Sequence, residues 1–456
     1  MNFKLNVVVL AAGKGTRMKS ARPKVLHRLA GKPLLLHVLD TARKLECANL
    51  QVVTGFGSEA VEQELAGADT SFVLQEEQLG TAHAVQQALA GFDDDAVALV
   101  LYGDVPLIKA DTLKALLDEV DADSMGVLTC VVDNPTGLGR IIRNESGQIT
   151  RIVEERDASE SEKAVDEINT GFMAIPVNLL KKWLPRIQAD NAQREYYLTD
   201  LVELAIADGI AVVTSLCQDQ AEITGINDRI QLAELERKYQ HSMNEELMNN
   251  GVTLADPSRV DIRGEADIAS DVEIDINVIL EGKVTIARHV KIGAGCILKN
   301  CSIAEGTELY AYTVIEDAVI GKNCKLGPFA RVRPGAEMRD HSKLGNFVEV
   351  KKSVIGKGSK VNHLSYIGDS ELGEGVNVGA GTITCNYDSI NKHKTKIGDG
   401  VFIGSNAVLV APVTLENGAF VAAGSTITKN IESDQLGVGR AKQSNIAGWK
   451  RPGKKQ

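Results

Sequence analysis

The chain has no excess of basic residues. Fifty Lys and Arg face 61 Asp and Glu, a net charge of −11 at pH 7. A nucleic-acid surface is therefore not expected as its main partner, and bound anions need local basic patches. Paired cysteines are missing as well. The seven cysteines are scattered, odd in number and without CxxC spacing, which argues for free thiols in a reducing compartment and against a disulfide framework or a zinc site. No apolar run reaches membrane-spanning length, and the opening MNFKLNVVVLAAG carries too short a run for a secretory signal. A cytoplasmic location is the expectation. The rest is ordinary: 456 residues, 44% apolar and 24% charged, enough for two or three domains that each bury a core.

What is present in abundance is a period of six. Aliphatics recur at Ile262, Ile268, Ile274, Leu280, Ile286, Ile292 and Leu298. With one-residue slips the series continues through Ile303, Ile320, Ile355 and Leu372, and a last run leads from Ile397 to Ile427. Such a period is neither helical nor simple strand alternation, and it marks a β-helix in which each hexad supplies a short strand and a corner. The pattern breaks once, between Val378 and Ile397, where GAGTITCNYDSINKHKTK is expected to bulge out as a loop.

The first half reads differently. Asn6–Leu10, Leu50–Thr54 and Ala96–Tyr102 are strand-like, while Thr81–Leu89 and Leu113–Val120 are helix-like. Alternation of this kind predicts a mostly parallel sheet with ligands at the carboxyl ends of its strands. Residues 228–250 space Ile230, Leu235, Tyr239, Met243 and Leu247 as an amphipathic helix that Gly251 can stop. The expected organisation is 1–227, a helical arm at 228–250, and 251–456 as the β-helix domain, whose repeats end near 437 and leave a solvated polar tail.

The first chemical constellation is Leu10-Ala-Ala-Gly-Lys-Gly-Thr-Arg-Met18 with Pro23-Lys24 after it. Gly13 and Gly15 permit a tight turn whose N–H groups can face a phosphate, and Arg17 and Lys24 add positive charge. This is not a Walker A loop. Gln75 and the Gly80-Thr81 turn can offer an amide and backbone groups to a base edge. Asp104 ends an apolar strand, where a lone carboxylate can hold Mg²⁺ together with water and phosphate oxygens.

These motifs resemble the sugar-nucleotide pyrophosphorylases, whose signature is LxxGxGTxM followed by PK. The resemblance implies that Leu10, Ala11, Ala12, Gly13, Arg17, Gln75, Gly80, Thr81, Tyr102 and Gly103 bind the nucleotide substrate and that Lys24 neutralises phosphate. It also implies that Gly139, Glu154 and Asn169 hold the sugar and that Asp104 and Asn227 bind Mg²⁺.

A second constellation surrounds the register slips: Arg333, Glu349, Lys351, His363, Tyr366 and Asn377, with Asn386, Tyr387 and Lys392 on the loop. Coils of about 18 residues set Arg333, Lys351 and Asp369 in line, and two stacked cations need an anion between them. His363, two residues past inward Val361, should face outward at a corner, and Glu349 could orient its imidazole for general-base work.

With the segments NHLSYIGD and GAGTITCNYDS, nearly the whole chain resembles a bifunctional uridyltransferase–acetyltransferase family of bacterial cell-wall precursor synthesis. The implied fold is an α/β Rossmann-like nucleotidyltransferase domain followed by a left-handed parallel β-helix. Implied co-substrates are UTP and acetyl-CoA, the implied metal is Mg²⁺, and the implied assembly is a homotrimer. His363 is then the catalytic base. Arg333, Lys351, Tyr366, Asn377 and Lys392 contact the sugar phosphate, and Ala380, Asn386, Tyr387, Ser405, Ala423 and Arg440 line the coenzyme A site. Two other readings stay open on the residues alone. One is a pyrophosphorylase whose β-helix only oligomerises it, and the other is a non-catalytic assembly module of the same build.

Overall fold

The computed structural model describes residues 3–67 and 69–453; residues 454–456 of the expected polar tail fall outside them. The chain divides into two compact units, one up to Tyr239 and one from Gln240. This boundary lies inside a single helix, Arg229–Asn249.

In the first unit the strand order is Ala211–Cys217, Ser124–Val131, Glu167–Pro176, Ala96–Tyr102, Lys4–Leu10, Asn49–Thr54, Ser71–Leu74. All neighbours are parallel except Glu167–Pro176, which runs against both of its partners. Lys4–Leu10 is buried at every position after Lys4. Val7 and Val9 enter one apolar cluster and Val8 and Leu10 the other, so its unbroken apolar run is what a strand covered on both faces requires. This strand pairs with Asn49–Thr54 on one side and Ala96–Tyr102 on the other. The connections therefore leave in opposite directions and open a crevice at its carboxyl end. Leu10 and Tyr102 face each other in register there.

The second unit is a parallel β-helix whose short strands stack into three faces. The sixfold aliphatics point inward, as expected: Ile274, Leu298, Ile320, Val361 and Leu409 are all buried. A second inward position, two residues earlier, was not recognised in the sequence. It takes small residues of mixed polarity, such as Cys296, Thr307, Ala330, Ser342, Ser359 and Ala407, all buried. Their hydroxyls tie coil to coil: Ser359 Oγ donates to Gly373 O at 2.7 Å and accepts from Val376 N at 2.9 Å. Pairing makes such buried polar atoms tolerable, although at the same position of later coils the Thr395 and Ser425 hydroxyls have no partner among the described residues.

Two expectations change. Coils are not uniformly 18 residues: Arg331 pairs with Glu349, but Asn346 pairs with His363 and Glu349 with Tyr366, 17 residues on. The interruption is also shorter than 379–396. Thr382 and Thr384 keep the inward positions, and Ile383–Cys385 is a strand, so only residues 386–394 leave the coil. A polar threonine at 384 hid the repeat; its hydroxyl is paired, accepting from Gly368 N at 2.8 Å.

The helix Arg229–Asn249 serves each unit with a different end. Leu235 and Tyr239 pack in the first unit, and Met243 and Leu247 pack on the β-helix core. Ile230, read as part of the apolar stripe, is 70% exposed. Gly251, at φ 91°, ends the helix, and Val252 N donates to Leu247 O at 3.0 Å.

Candidate functional site

The crevice of the first unit gathers most of the predicted nucleotide residues. Leu10, Ala11, Ala12, Gly13, Lys24, Gln75, Gly80, Thr81, Tyr102 and Asp104 line one cleft. Gly103 closes its floor, donating its amide to Leu10 O at 2.9 Å. Arg17 lies exposed on the one-turn helix Thr16–Met18 and is not among the residues that line this cleft. Gly80 is required sterically. Its φ is +121°, and a Cβ there would stand 2.5 Å from Tyr196 O, because Tyr196 N donates to Leu79 O and Ala82 N to Tyr196 O.

Lys24 is the centre of charge. Its ammonium donates to Asp104 Oδ2 and, at 3.1 Å, to Asn227 Oδ1. Ile226 N donates to Asp104 O at 2.9 Å, which brings the distant Gly225-Ile-Asn227 turn to the strand end. Two side-chain oxygens thus converge on one cation. That donor set suits Mg²⁺, which takes one or two carboxylate or amide oxygens and fills its remaining positions with phosphate and water. Among the described residues no cluster of three or more His, Cys, Asp or Glu forms a self-sufficient metal cage.

The predicted sugar residues form a wall beside this. Gly139 pairs with Asn169 across the antiparallel ladder, and a Cβ on Gly139 would sit 3.3 Å from Glu154 Oε1. Asn169 Oδ1 accepts from Gly171 N at 3.0 Å. Burial pushes the Glu154 carboxyl up from its ordinary range, partly offset by the Thr199 hydroxyl. Burial likewise raises Asp200, to about 6, and the Tyr102 phenol. Arg140, 1% exposed, clamps the wall: it donates to Leu138 O and, at 2.6 Å, to Glu155 Oε2, which also accepts from Gly137 N.

On the β-helix, registration sets five residues along one corner. His363 lies over Asn346. The next pairings bring Ala380 level with His363, Ser405 with Ala380, and Ala423 with Ser405. Arg440 then donates to Ala423 O at 2.6 Å. Coils repeat at about 4.8 Å, so a line of small residues leads away from the imidazole. The Ala380 carbonyl accepts from Asn406 N at 2.7 Å, while its own amide meets no acceptor among the described residues.

His363 is exposed, as expected, but Glu349 does not orient it. Glu349 Oε1 is taken by Arg333 at 2.7 Å. The imidazole is held instead by Asn346, whose Oδ1 lies 3.0 Å from Nδ1. A carboxamide oxygen only accepts, so Nδ1 carries the proton and Nε2 keeps its lone pair. In the 17-residue coil the register partner of Lys351 is Gly368; Asp369 stays beside it, its N donating to Lys351 O at 3.0 Å, while its side chain is bound by Asn386.

The cations do gather. The Lys392 ammonium, first, and then Arg333 hold Lys351 below its ordinary range. Only Arg333 of these three has a carboxylate partner among the described residues. Tyr366 sits over Glu349 on the same face. Asn377 does not join them; it lies on another face between Lys360 and Phe402. Tyr387 is 59% exposed on the loop and bridges to Lys392. Sequence reasoning missed Asn346 and His83. Only the coil register could have revealed Asn346, and nothing in the pattern marked His83.

Fold and sites together define a nucleotidyltransferase joined to a hexapeptide-repeat transferase. A MobA-like NTP transferase domain matches residues 7–191, a GMPPB C-terminal domain residues 262–339, and the bacterial transferase hexapeptide (six repeats) residues 394–429. The last of these identifies the β-helix as the left-handed kind. Bifunctional protein GlmU of Marinobacter nauticus is 52% identical over 99% of this chain and 99% of its own. Bifunctional protein GlmU of Paraburkholderia phytofirmans is 52% identical over 99% of this chain and 100% of its own. The chain belongs to this GlmU family. It is a bifunctional transferase, with uridylyltransferase and acetyltransferase activities.

Proposed function

We propose that the chain makes UDP-N-acetylglucosamine in two steps, as a cytoplasmic homotrimer supplying peptidoglycan and lipopolysaccharide precursors. The second unit first acetylates glucosamine 1-phosphate. Nε2 of His363 takes a proton from the sugar amine, the amine attacks the thioester carbon of acetyl-CoA, and coenzyme A leaves as the thiol. Coenzyme A lies along the corner line from Ala380 past Ser405 and Ala423 to Arg440, with Asn386 and Tyr387 beside it. The free amide of Ala380 meets the oxyanion of the tetrahedral intermediate. Arg333, Lys351 and Lys392 take the sugar phosphate, which relieves their mutual repulsion, and Tyr366 contacts the sugar.

The first unit then joins N-acetylglucosamine 1-phosphate to UTP. The sugar phosphate oxygen attacks the α-phosphorus and pyrophosphate leaves. The nucleophile is already anionic, so catalysis is positioning and charge neutralisation. Lys24 and Arg17 supply positive charge. Asp104 and Asn227 would hold Mg²⁺, which neutralises phosphate oxygens. Gly139, Glu154 and Asn169 hold the acetylated sugar, and Gln75, Gly80 and Thr81 hold the base. We further propose that 1–227 and 251–456 carry one activity each and that 228–250 joins them.

The observation that carries this reading is convergence. Lys24, Asp104 and Asn227, from three distant segments, meet at one ammonium, and the corner line gives the second unit a matching set. The test is mass spectrometry of one reaction of the protein with glucosamine 1-phosphate, acetyl-CoA, UTP and Mg²⁺. UDP-N-acetylglucosamine with free coenzyme A is the expected product set. N-acetylglucosamine 1-phosphate alone would contradict the nucleotide site, and no acetylated product would contradict the corner-line site.

A further inference from the structure

Gln75 is 3% exposed at the inner end of the nucleotide cleft. Its amide nitrogen has two partners: Gly80 O at 3.2 Å and His83 Nδ1 at 3.0 Å. A backbone carbonyl can only accept, so the group facing it is the NH₂. His83 completes the arrangement when Nδ1 bears the lone pair and Nε2 the proton. His83 is the third residue of the helix Thr81–Ala88, which starts directly at the Gly80 turn. The turn, the helix and the glutamine are thereby tied into one unit. With both amide hydrogens directed at protein acceptors, the carbonyl oxygen of Gln75 has no partner among the described residues.

We propose that His83 is a specificity-determining positioning residue for the nucleotide base. It locks the Gln75 amide so that Oε1, not Nε2, faces the base. Uracil presents an N3–H donor and cytosine an N3 lone pair, so a fixed acceptor pairs with the first and repels the second. An amide free to turn over would accept either, because flipping it exchanges acceptor for donor. This rests on the reading of Gln75 as a base-contacting residue.

The test compares kcat/KM for UTP and CTP, with N-acetylglucosamine 1-phosphate, in the full chain. His83→Ala is expected to narrow the UTP:CTP ratio by about tenfold, the worth of one net hydrogen bond, with KM moving more than kcat. His83→Asn places an amide oxygen near the former Nδ1 and is expected to keep the ratio within about threefold of wild type, since the accepting bond survives. Acetyl transfer by the same proteins should not change. Should His83→Ala fail to fold, His83→Leu, which fills the ring volume without an acceptor, takes its place. An unchanged ratio in the acceptor-less variant overturns the proposal, as does equal narrowing by His83→Asn. Gln75→Ala separates the two levels. If it leaves the ratio unchanged, the base-contact reading itself fails; if it narrows the ratio while His83→Ala does not, only the orienting role fails.

Discussion

The open end of a β-helix exposes unpaired backbone groups, and here a glutamine covers them. Gln240 is 2% exposed, and its side-chain amide copies a strand: Oε1 accepts from Ile262 N at 2.8 Å and Nε2 donates to Ile262 O at 2.7 Å. Asn244, fully buried, adds bonds to Pro257 O and Val260 O at 2.7 and 2.9 Å. Gln240→Ala removes two buried bonds and leaves both Ile262 groups without partners. At about 1 kcal/mol per bond, with a further cost for unsatisfied groups, the loss is about 3 kcal/mol. For a unit of this size that corresponds to a fall in Tm of about 6–12 °C. Differential scanning calorimetry should show the second unit's transition moving while the first stays. Hydrogen exchange at the Ile262 amide should accelerate in parallel. A shift below about 2 °C, which is less than 1 kcal/mol, would refute the capping argument, because it would mean that water replaces the side chain without loss.

Other outcomes follow from the sites. His363→Ala should lower kcat for acetyl transfer by about 10²–10⁴-fold, and Asn346→Ala by only about fivefold, the worth of one neutral hydrogen bond; equal losses in steady-state assays would contradict the division of roles. Gly80→Ala forces a Cβ against Tyr196 O at a backbone angle of +121°, so UTP binding measured by calorimetry should weaken about tenfold or more, given a strain of about 1–3 kcal/mol. Burial raises Asp200 to about 6 from 3.8. The folded state therefore holds this proton more tightly than the unfolded chain, and the associated stability is present below pH 4 and lost as pH rises through 6. Asp200→Asn should raise the Tm of the first unit at pH 7.5 and not at pH 4, and a stabilisation equal at both would count against the burial argument.

The coarse architecture was legible because both patterns have strong periods. The aliphatic hexads have no other structural reading, and the strand Asn6–Leu10 is apolar throughout, as a doubly covered strand must be. The cleft residues were legible as a set because Leu10–Gly13 and Lys24 sit at fixed offsets from a strand end. Four features were hidden for physical reasons. The second inward position takes Val in some coils and Cys, Ala, Ser or Thr in others, and hydroxyls such as that of Ser359 find backbone partners there, so no uniform hydropathy signal marks it. Thr384 concealed a continuing coil in the same way. The partner of His363 depends on whether a coil holds 17 or 18 residues, and one residue of difference moves Asn346 under the imidazole and makes Gly368 the register partner of Lys351. Gln240 and Asn244, polar residues among charges, gave no sign that they close the end of a sheet.

The central claim is that one chain carries two chemically independent sites, one built on Lys24, Asp104 and Asn227 and one on His363. Each half-reaction should be measured separately on Lys24→Ala and on His363→Ala. The account predicts that Lys24→Ala loses uridylyl transfer by about two orders of magnitude or more, the worth of one charged contact in such a site, and retains acetyl transfer. His363→Ala should show the reverse. Loss of both activities in either variant, or retention of acetyl transfer by His363→Ala, would contradict it.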